Sequence, residues 1–179
     1  MIEIKQASME LLNTADFNRI YDILIYAYAE TEKEVWGENY VRILKDEFIE
    51  LINRGEIFYA TIDKKPVGSI YVYQKEKETY SFGLLSADFS LKGNGIGLSL
   101  VKYAEQYALK AGAKYMDLEI LRPLAEEVPF KIVLKNWYTK LGYHYMMSGT
   151  FAELKPDKAY KAEGLIQPCT FDCYRKTLS

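Results

Sequence analysis

The 179-residue chain has one histidine and two cysteines. That scarcity excludes most zinc sites, iron–sulfur clusters and disulfide scaffolds. It also lacks an excess of either charge: 23 Lys and Arg stand against 25 Asp and Glu, a net charge of −2. So balanced a chain is a poor candidate for wrapping nucleic acid or lying on an anionic membrane, local patches aside. No apolar run approaches the roughly 18 residues that a membrane span needs. The opening stretch MIEIKQASMELL has no basic flank before an apolar block and does not read as a signal peptide. Repeats, low-complexity tracts and Pro/Gly/Ser linkers are missing too, so residues 1–179 read as a single domain. Tyrosine is what the chain has in plenty, 16 in all. A hydrophobic share of 49% with 27% charged residues is globular and excludes a disordered chain. The expectation is a cytoplasmic domain whose chemistry uses something other than a metal.

Periodicity divides the chain into elements. Ile2 to Ala7 alternates apolar and polar residues and reads as a short strand. Thr14 can cap a helix whose apolar stripe is Phe17, Ile20, Tyr21, Leu24 and Tyr28. An acidic connector, AETEKEVWGEN, precedes a second helix marked by Val41, Leu44, Phe48, Leu51 and Ile52 and stopped by Gly55. From Ile57 the period is two. Runs over Ile57–Ile62 and Val67–Tyr73 flank Asp63-Lys64-Lys65-Pro66, a hairpin signal, and a third run spans Thr79 to Asp88. After a glycine-rich stretch, a helix with Leu100, Val101, Ala104, Ala108 and Ala111 on one face runs to Gly112. Tyr115–Leu121 reads as a strand and Phe130–Leu141 as a helix. Two last strand-like runs cover Tyr143–Leu154 and Cys169–Lys176. This alternation implies an α/β fold, one mixed sheet with helices on both faces.

The stretch Lys92-Gly93-Asn94-Gly95-Ile96-Gly97-Leu98-Ser99 joins a predicted strand to a predicted helix with glycine at alternate positions. Residues without side chains let backbone N–H groups converge on an anion. The helix dipole adds roughly 0.3–2 kcal/mol toward a phosphate. Lys92 can supply a full charge, and a diphosphate suits such a nest. The plainer reading is a tight connection that needs glycine for its backbone alone. A Walker loop is excluded because Leu98, not lysine, follows Gly97. A Rossmann fingerprint would need a small residue at Leu98 and a parallel βαβ unit, whereas a hairpin precedes this loop.

Lys92-Gly93-Asn94-Gly95-Ile96-Gly97 resembles the acyl-CoA pyrophosphate loop of the GNAT (Gcn5-related N-acetyltransferase) family, [Gln/Arg]-x-x-Gly-x-[Gly/Ala], with lysine in place of Gln/Arg. The substitution keeps the charge and loses the planar fork. The element order is similar to the family's as well. The resemblance implies a mixed, mostly antiparallel sheet of about seven strands, with acetyl-CoA as co-substrate held by residues 92–99. It further implies that the strand end at Leu85 and Ala87 splays from its neighbour and pairs with the pantetheine amides. Downstream, Trp137-Tyr138-Thr139-Lys140-Leu141-Gly142-Tyr143 is similar to the family's Tyr-x-x-Leu-Gly-(Phe/Tyr) segment. Tyr138 then takes the place of the tyrosine that protonates, or hydrogen-bonds to, the departing thiolate. The family often has asparagine and alanine where this chain has Lys131 and Leu134, so Lys131 meets either cofactor or solvent.

Amide formation needs a neutral amine, and losing its proton at pH 7 costs roughly 4 kcal/mol for a pKa near 10. Many family members use a glutamate on the fourth strand, which this chain lacks there. Glu119, on a mostly apolar central strand where its pKa should rise, ranks first as the base, with a plain residue on the polar alternation Asp117-Leu118-Glu119 as the equal alternative. Asp88 and a water relay are the other options. The acceptor is expected against the connector between the first two helices, with Glu30, Glu32, Glu34, Glu38 and Trp36; Glu126 and Glu127 follow in a later loop. An acidic, aromatic mouth would favour a cationic amine, and a solvated surface loop is the alternative. His144 reads as structural, and Cys169 and Cys173 as thiols in a reducing compartment, not a metal pair. The resemblance leaves room for a homodimer, since terminal strands of this fold often pair between subunits. The function expected is acetyl transfer from acetyl-CoA to a primary amine, with no metal. The alternative is a relative of the same fold that binds acyl-CoA as a sensor or interaction module without turnover.

Overall fold

The computed structural model describes residues 1–179. Its strands are β1 (Ile2–Gln6), β2 (Ile57–Ile62), β3 (Lys65–Glu76), β4 (Thr79–Ala87), β5 (Tyr115–Pro123), β6 (His144–Gly149) and β7 (Cys169–Thr177). The helices are α1 (Ala15–Thr31), α2 (Lys33–Trp36), α3 (Lys45–Asn53), α4 (Ile96–Lys110), α5 (Pro129–Lys140) and α6 (Phe151–Leu154). One seven-stranded sheet has the order β1-β2-β3-β4-β5-β7-β6. Every neighbouring pair is antiparallel except β4 with β5. The sheet the resemblance implies is therefore present, with β7 inserted between β5 and β6.

Strand alternation builds a core on each face of the sheet. On one face Phe58, Val67, Ile70, Val72, Met116 and Leu118 pack against Leu100, Val101 and Ala104 of α4 and Tyr138 of α5. On the other, Ile57, Tyr59 and Leu84 pack against Phe17, Ile20 and Leu24 of α1 and Phe48 and Ile52 of α3. A third, smaller cluster joins Val35 of α2 to Leu121, Phe151, Cys169 and Phe171. Thr14 caps α1, its side chain accepting from the Phe17 N–H at 3.2 Å. Asp63 and Lys64 both have positive φ, 50° and 65°, which makes the β2–β3 link a two-residue turn of the type that matches strand twist. No helix is long and apolar enough to cross a membrane.

Three boundaries differ from the sequence reading. The acidic connector is largely helical: α1 continues to Thr31, and α2 follows because Val35, fully buried, anchors it in the third cluster. The second helix begins only at Lys45. Val41 and Leu44 stay 48% and 61% exposed, because the chain from Gly37 to Leu44 is irregular and Ile43 is its buried anchor. Tyr143–Leu154 is not one strand. β6 ends at Gly149, and Thr150 opens α6 with a capping box to Glu153. A Cβ at Gly149 would lie 2.7 Å from Leu154, so this sharp reversal requires glycine.

Candidate active site

β4 and β5 pair over three residues only, Thr79–Tyr115, Tyr80–Met116 and Ser81–Asp117. Beyond that β4 follows β3 as far as Ala87, and β5 follows β7 as far as Pro123. Residues 82–87 and 118–123 therefore face a widening gap without a ladder between them. A bulge sharpens the divergence. Between Ser69↔Ser86 and Tyr71↔Gly83, β4 carries one residue more than β3, and buried Leu84 adopts φ 49°. A non-glycine residue in that region costs about 1–2 kcal/mol, held here by the packing on both sides. The Tyr28 phenol lies near the Leu85 backbone at this bulge. Leu85 and Ala87 thus lie on the free edge of the gap.

At the end of β4 the chain makes a 3-10 turn over Phe89–Leu91 and enters the glycine loop. Gly93 and Gly95 have φ of 90° and 75°, and a Cβ at either would meet only open space. Gly95 caps α4. The first backbone bond back into the helix is from the Ser99 N–H to the Gly95 carbonyl at 3.0 Å. The N–H groups of Gly95, Ile96, Gly97 and Leu98 bond to nothing in the protein and form the nest. Ser99 can offer only its hydroxyl. Ile96 contributes its backbone alone, since its side chain is buried. Asn94 is exposed, its amide donating back to the Leu91 carbonyl at 2.8 Å, and Lys92 stays exposed at the mouth.

Tyr138 is buried on the α4/α5 face, 5.9 Å from Phe82 of β4 and from Tyr143, and 4.9 Å from Trp137 (ring centroids). Burial raises its pKa well above the usual tyrosine range, with Tyr28 adding to the effect. Its hydroxyl has no hydrogen-bond partner, and it is not one of the two fully enclosed unpartnered side-chain atoms, Glu56 Oε1 and Thr61 Oγ1. Lys131 meets neither solvent nor the gap: its Nζ donates to Glu32 Oε2 at 2.6 Å, both side chains 8% exposed. This pair clasps α5 to the end of α1.

Glu119 lies two residues beyond the last β4–β5 pair, on the face opposite Tyr138, with Lys155 at 2.9 Å. Asp88 is unsuited to accept a proton. Bonds from Ser90 and the Arg19 guanidinium at 2.7 Å hold its carboxyl below the usual range. Glu30 pairs with Lys33 at the surface, at 3.5 Å. Trp36 stacks on Tyr40 at 4.8 Å, and Gly164 closes over it. His144 is exposed at the start of β6, and both cysteines are free. Of two surface cavities of about 310 and 320 Å³, one lies beside Arg54 and Tyr107, and the other beside Arg19 and Lys65 reaches Asp88, Ser90 and Leu91 at the end of β4. Sequence reasoning missed Tyr28, read only as part of a core stripe, and the Glu32–Lys131 clasp. It also missed Arg42, whose guanidinium lies over the Tyr28 ring at 5.5 Å. No local pattern marks these residues, because they converge from separate elements.

The model of the acetyltransferase (GNAT) family matches residues 18–130, which includes the gap and the glycine loop and stops short of Tyr138. No curated protein matches the sequence. Among solved structures, N-acetylglutamate synthase from Neisseria gonorrhoeae complexed with coenzyme A and N-acetyl-glutamate aligns with TM-score 0.68 and 14% identity, over 100% of this chain and 35% of that one. A putative streptothricin acetyltransferase from Bacillus anthracis in complex with acetyl coenzyme A gives 0.53 and 16%, over 68% and 61%. PaiA N-acetyltransferase from Thermoplasma acidophilum in complex with coenzyme A gives 0.71 and 16%, over 99% of both chains. The chain thus spans about a third of the first of these proteins and under two thirds of the second.

Proposed function

The chain belongs to the GNAT acetyltransferase family, and from that premise we propose that it transfers an acetyl group from acetyl-CoA to a primary amine by direct attack in a ternary complex. The observation that carries the reading is the gap between β4 and β5 opening beside the glycine loop. The residues present fit acetyl-CoA. Four N–H groups without partners and the open space over Gly93 and Gly95 suit a diphosphate. The free edge of β4 over residues 82–87 suits the amides of an extended pantetheine arm.

Bound there, the thioester supplies an acetyl group already activated. The nest of residues 95–98 and the dipole of α4 hold the diphosphate, and Lys92 adds charge at its mouth. The β4 edge at Leu85 and Ala87 orients the arm. Tyr138 keeps its proton at every working pH, so its hydroxyl is always ready to donate to the departing sulfur from the α5 side. Phe82, Trp137 and Tyr143 exclude water around it. Glu119, across the sheet and held by Lys155, takes the proton of the attacking amine directly or through water. Acid and base then stand on opposite faces of the gap.

A cytoplasmic setting and a homodimer through the open β6 edge, where Tyr145, Met146 and Met147 are exposed, belong to the same proposal. Sedimentation at the 20.7 kDa of one chain would remove the dimer. The loop is tested by calorimetric titration of acetyl-CoA. Gly95→Glu places a carboxylate in the nest at φ 75° and is expected to abolish binding while the folded state persists. Normal binding by that variant would sink the loop assignment.

A further inference from the structure

Of the carboxylates expected to make the acceptor mouth acidic, Glu30, Glu32, Glu38 and Glu126 are engaged, while Glu34 and Glu127 are exposed without a partner. Lys33 lies 3.5 Å from Glu30 and 3.9 Å from Glu38, Lys131 bonds to Glu32, and Lys155 to Glu119. Glu126 accepts from the Gln167 amide at 2.8 Å. The cations there are less well matched. Arg42 and Lys161 are both partly buried, and neither has a carboxylate in salt-bridge contact. Lys161 sits on the 3-10 segment Pro156–Gly164, which Gly164 brings down over Trp36. It lies near Arg42, Lys158 and Lys155, and Glu47 partly offsets them. Burial first, then these cations, pull its ammonium below the usual lysine range. Like charges gathered in a half-buried place repel, and an anion among them relieves the strain.

The position of this cluster ties it to the chemistry. Arg42 covers the Tyr28 ring at 5.5 Å, and Tyr28 lies near the Leu85 backbone at the β4 bulge. One tyrosine ring therefore separates the guanidinium from the edge of the gap. Tyr40, stacked on Trp36, lies near the same arginine. We propose that the acceptor amine also carries an acid group, a carboxylate or a phosphate, and that Arg42 and Lys161 hold it. This inference rests on the acetyl-transfer reading and reverses the charge that the connector sequence suggests for the substrate. Arg42 supplies a planar fork suited to either acid, and Lys161 a mobile point charge.

The test is thiol release from saturating acetyl-CoA with paired amines: the amino acids beside their carboxamides, phosphoethanolamine beside ethanolamine, and spermidine as a polycation. At least one acid-bearing amine should outpace its neutral partner tenfold or more in kcat/KM, and the two arms separate carboxylate from phosphate. Arg42→Gln and Lys161→Gln should each raise KM for that amine about ten- to a hundredfold, with kcat changed only a few-fold. Lys161→Arg should keep most of the affinity, and acetyl-CoA binding measured by calorimetry should not move in any of the three. Acid-bearing amines no better than their partners, acetylation of spermidine alone, or an unmoved KM in both glutamine variants would overturn the anion site. Wild-type protein that does not bind acetyl-CoA would instead count against the acetyl-transfer reading itself and take this inference with it.

Discussion

Tyr138 is one tyrosine of 16, and its surroundings set it apart. Burial among Phe82, Trp137 and Tyr143 locks the ring and keeps the proton on an oxygen that nothing in the protein occupies. Two aspartates are treated in the opposite way. Asp117 is buried, which alone would raise its pKa, yet bonds from Arg175 and Lys75 at 2.7–3.0 Å bring it below the ordinary value. Asp88 is lowered by Ser90 and Arg19. A lowered folded pKa gives stability that is complete above the unfolded value, about 3.9, and lost as pH falls toward the folded one. The urea midpoint should therefore be flat above about pH 5 and fall below about pH 4, less steeply in Asp117→Asn. A midpoint that declines equally in the variant would show that this group does not set the limb. Tyr138 was legible because a local motif follows it. The Glu32–Lys131 clasp was not, since its partners lie 99 residues apart and each alone reads as a surface charge.

Elements were read best where one period governs them. β2, β3, β4, α4 and β7 fall within a few residues of their expected limits, as long apolar alternation dictates. The connector between α1 and α3 was harder, because a single apolar residue, Val35, decides that it folds back over β5 and β7. β6 and α6 merged in the reading since one glycine, Gly149, separates them. The β2–β3 turn offers a test at this scale. Asp63 and Lys64 hold positive φ without glycine, each against its intrinsic preference. Lys64→Gly should raise stability by about 0.5–1 kcal/mol, read as a higher urea midpoint at unchanged m-value. Part of the relieved strain is offset by glycine's greater unfolded entropy. A lower midpoint would mean that the lysine stem packs usefully there.

For the whole molecule, the site follows from topology. β4 and β5 are the only parallel neighbours, each is committed to a different antiparallel partner, and twist and bulge pull them apart. The gap opens where the glycine loop begins α4, so a diphosphate nest and a free strand edge form one continuous track. Tyr138 lies on one face of the sheet and Glu119 on the other. The scarcity of histidine and cysteine fits the proposed reaction, in which backbone donors and a phenol would do the work around an activated thioester. The glycine loop and Tyr138 could be singled out from the sequence because each stands in a local motif. The acceptor side was illegible, since its charge depends on which of many ions pair across the fold. The most direct measurement is amine-stimulated thiol release from acetyl-CoA, compared between wild type and Tyr138→Phe. Stimulation by an amine, slowed about ten- to a thousandfold in the variant at unchanged acetyl-CoA affinity, is the predicted result. Acetyl-CoA bound by the wild type, with no amine in a broad panel stimulating release, would contradict it and leave a binding module.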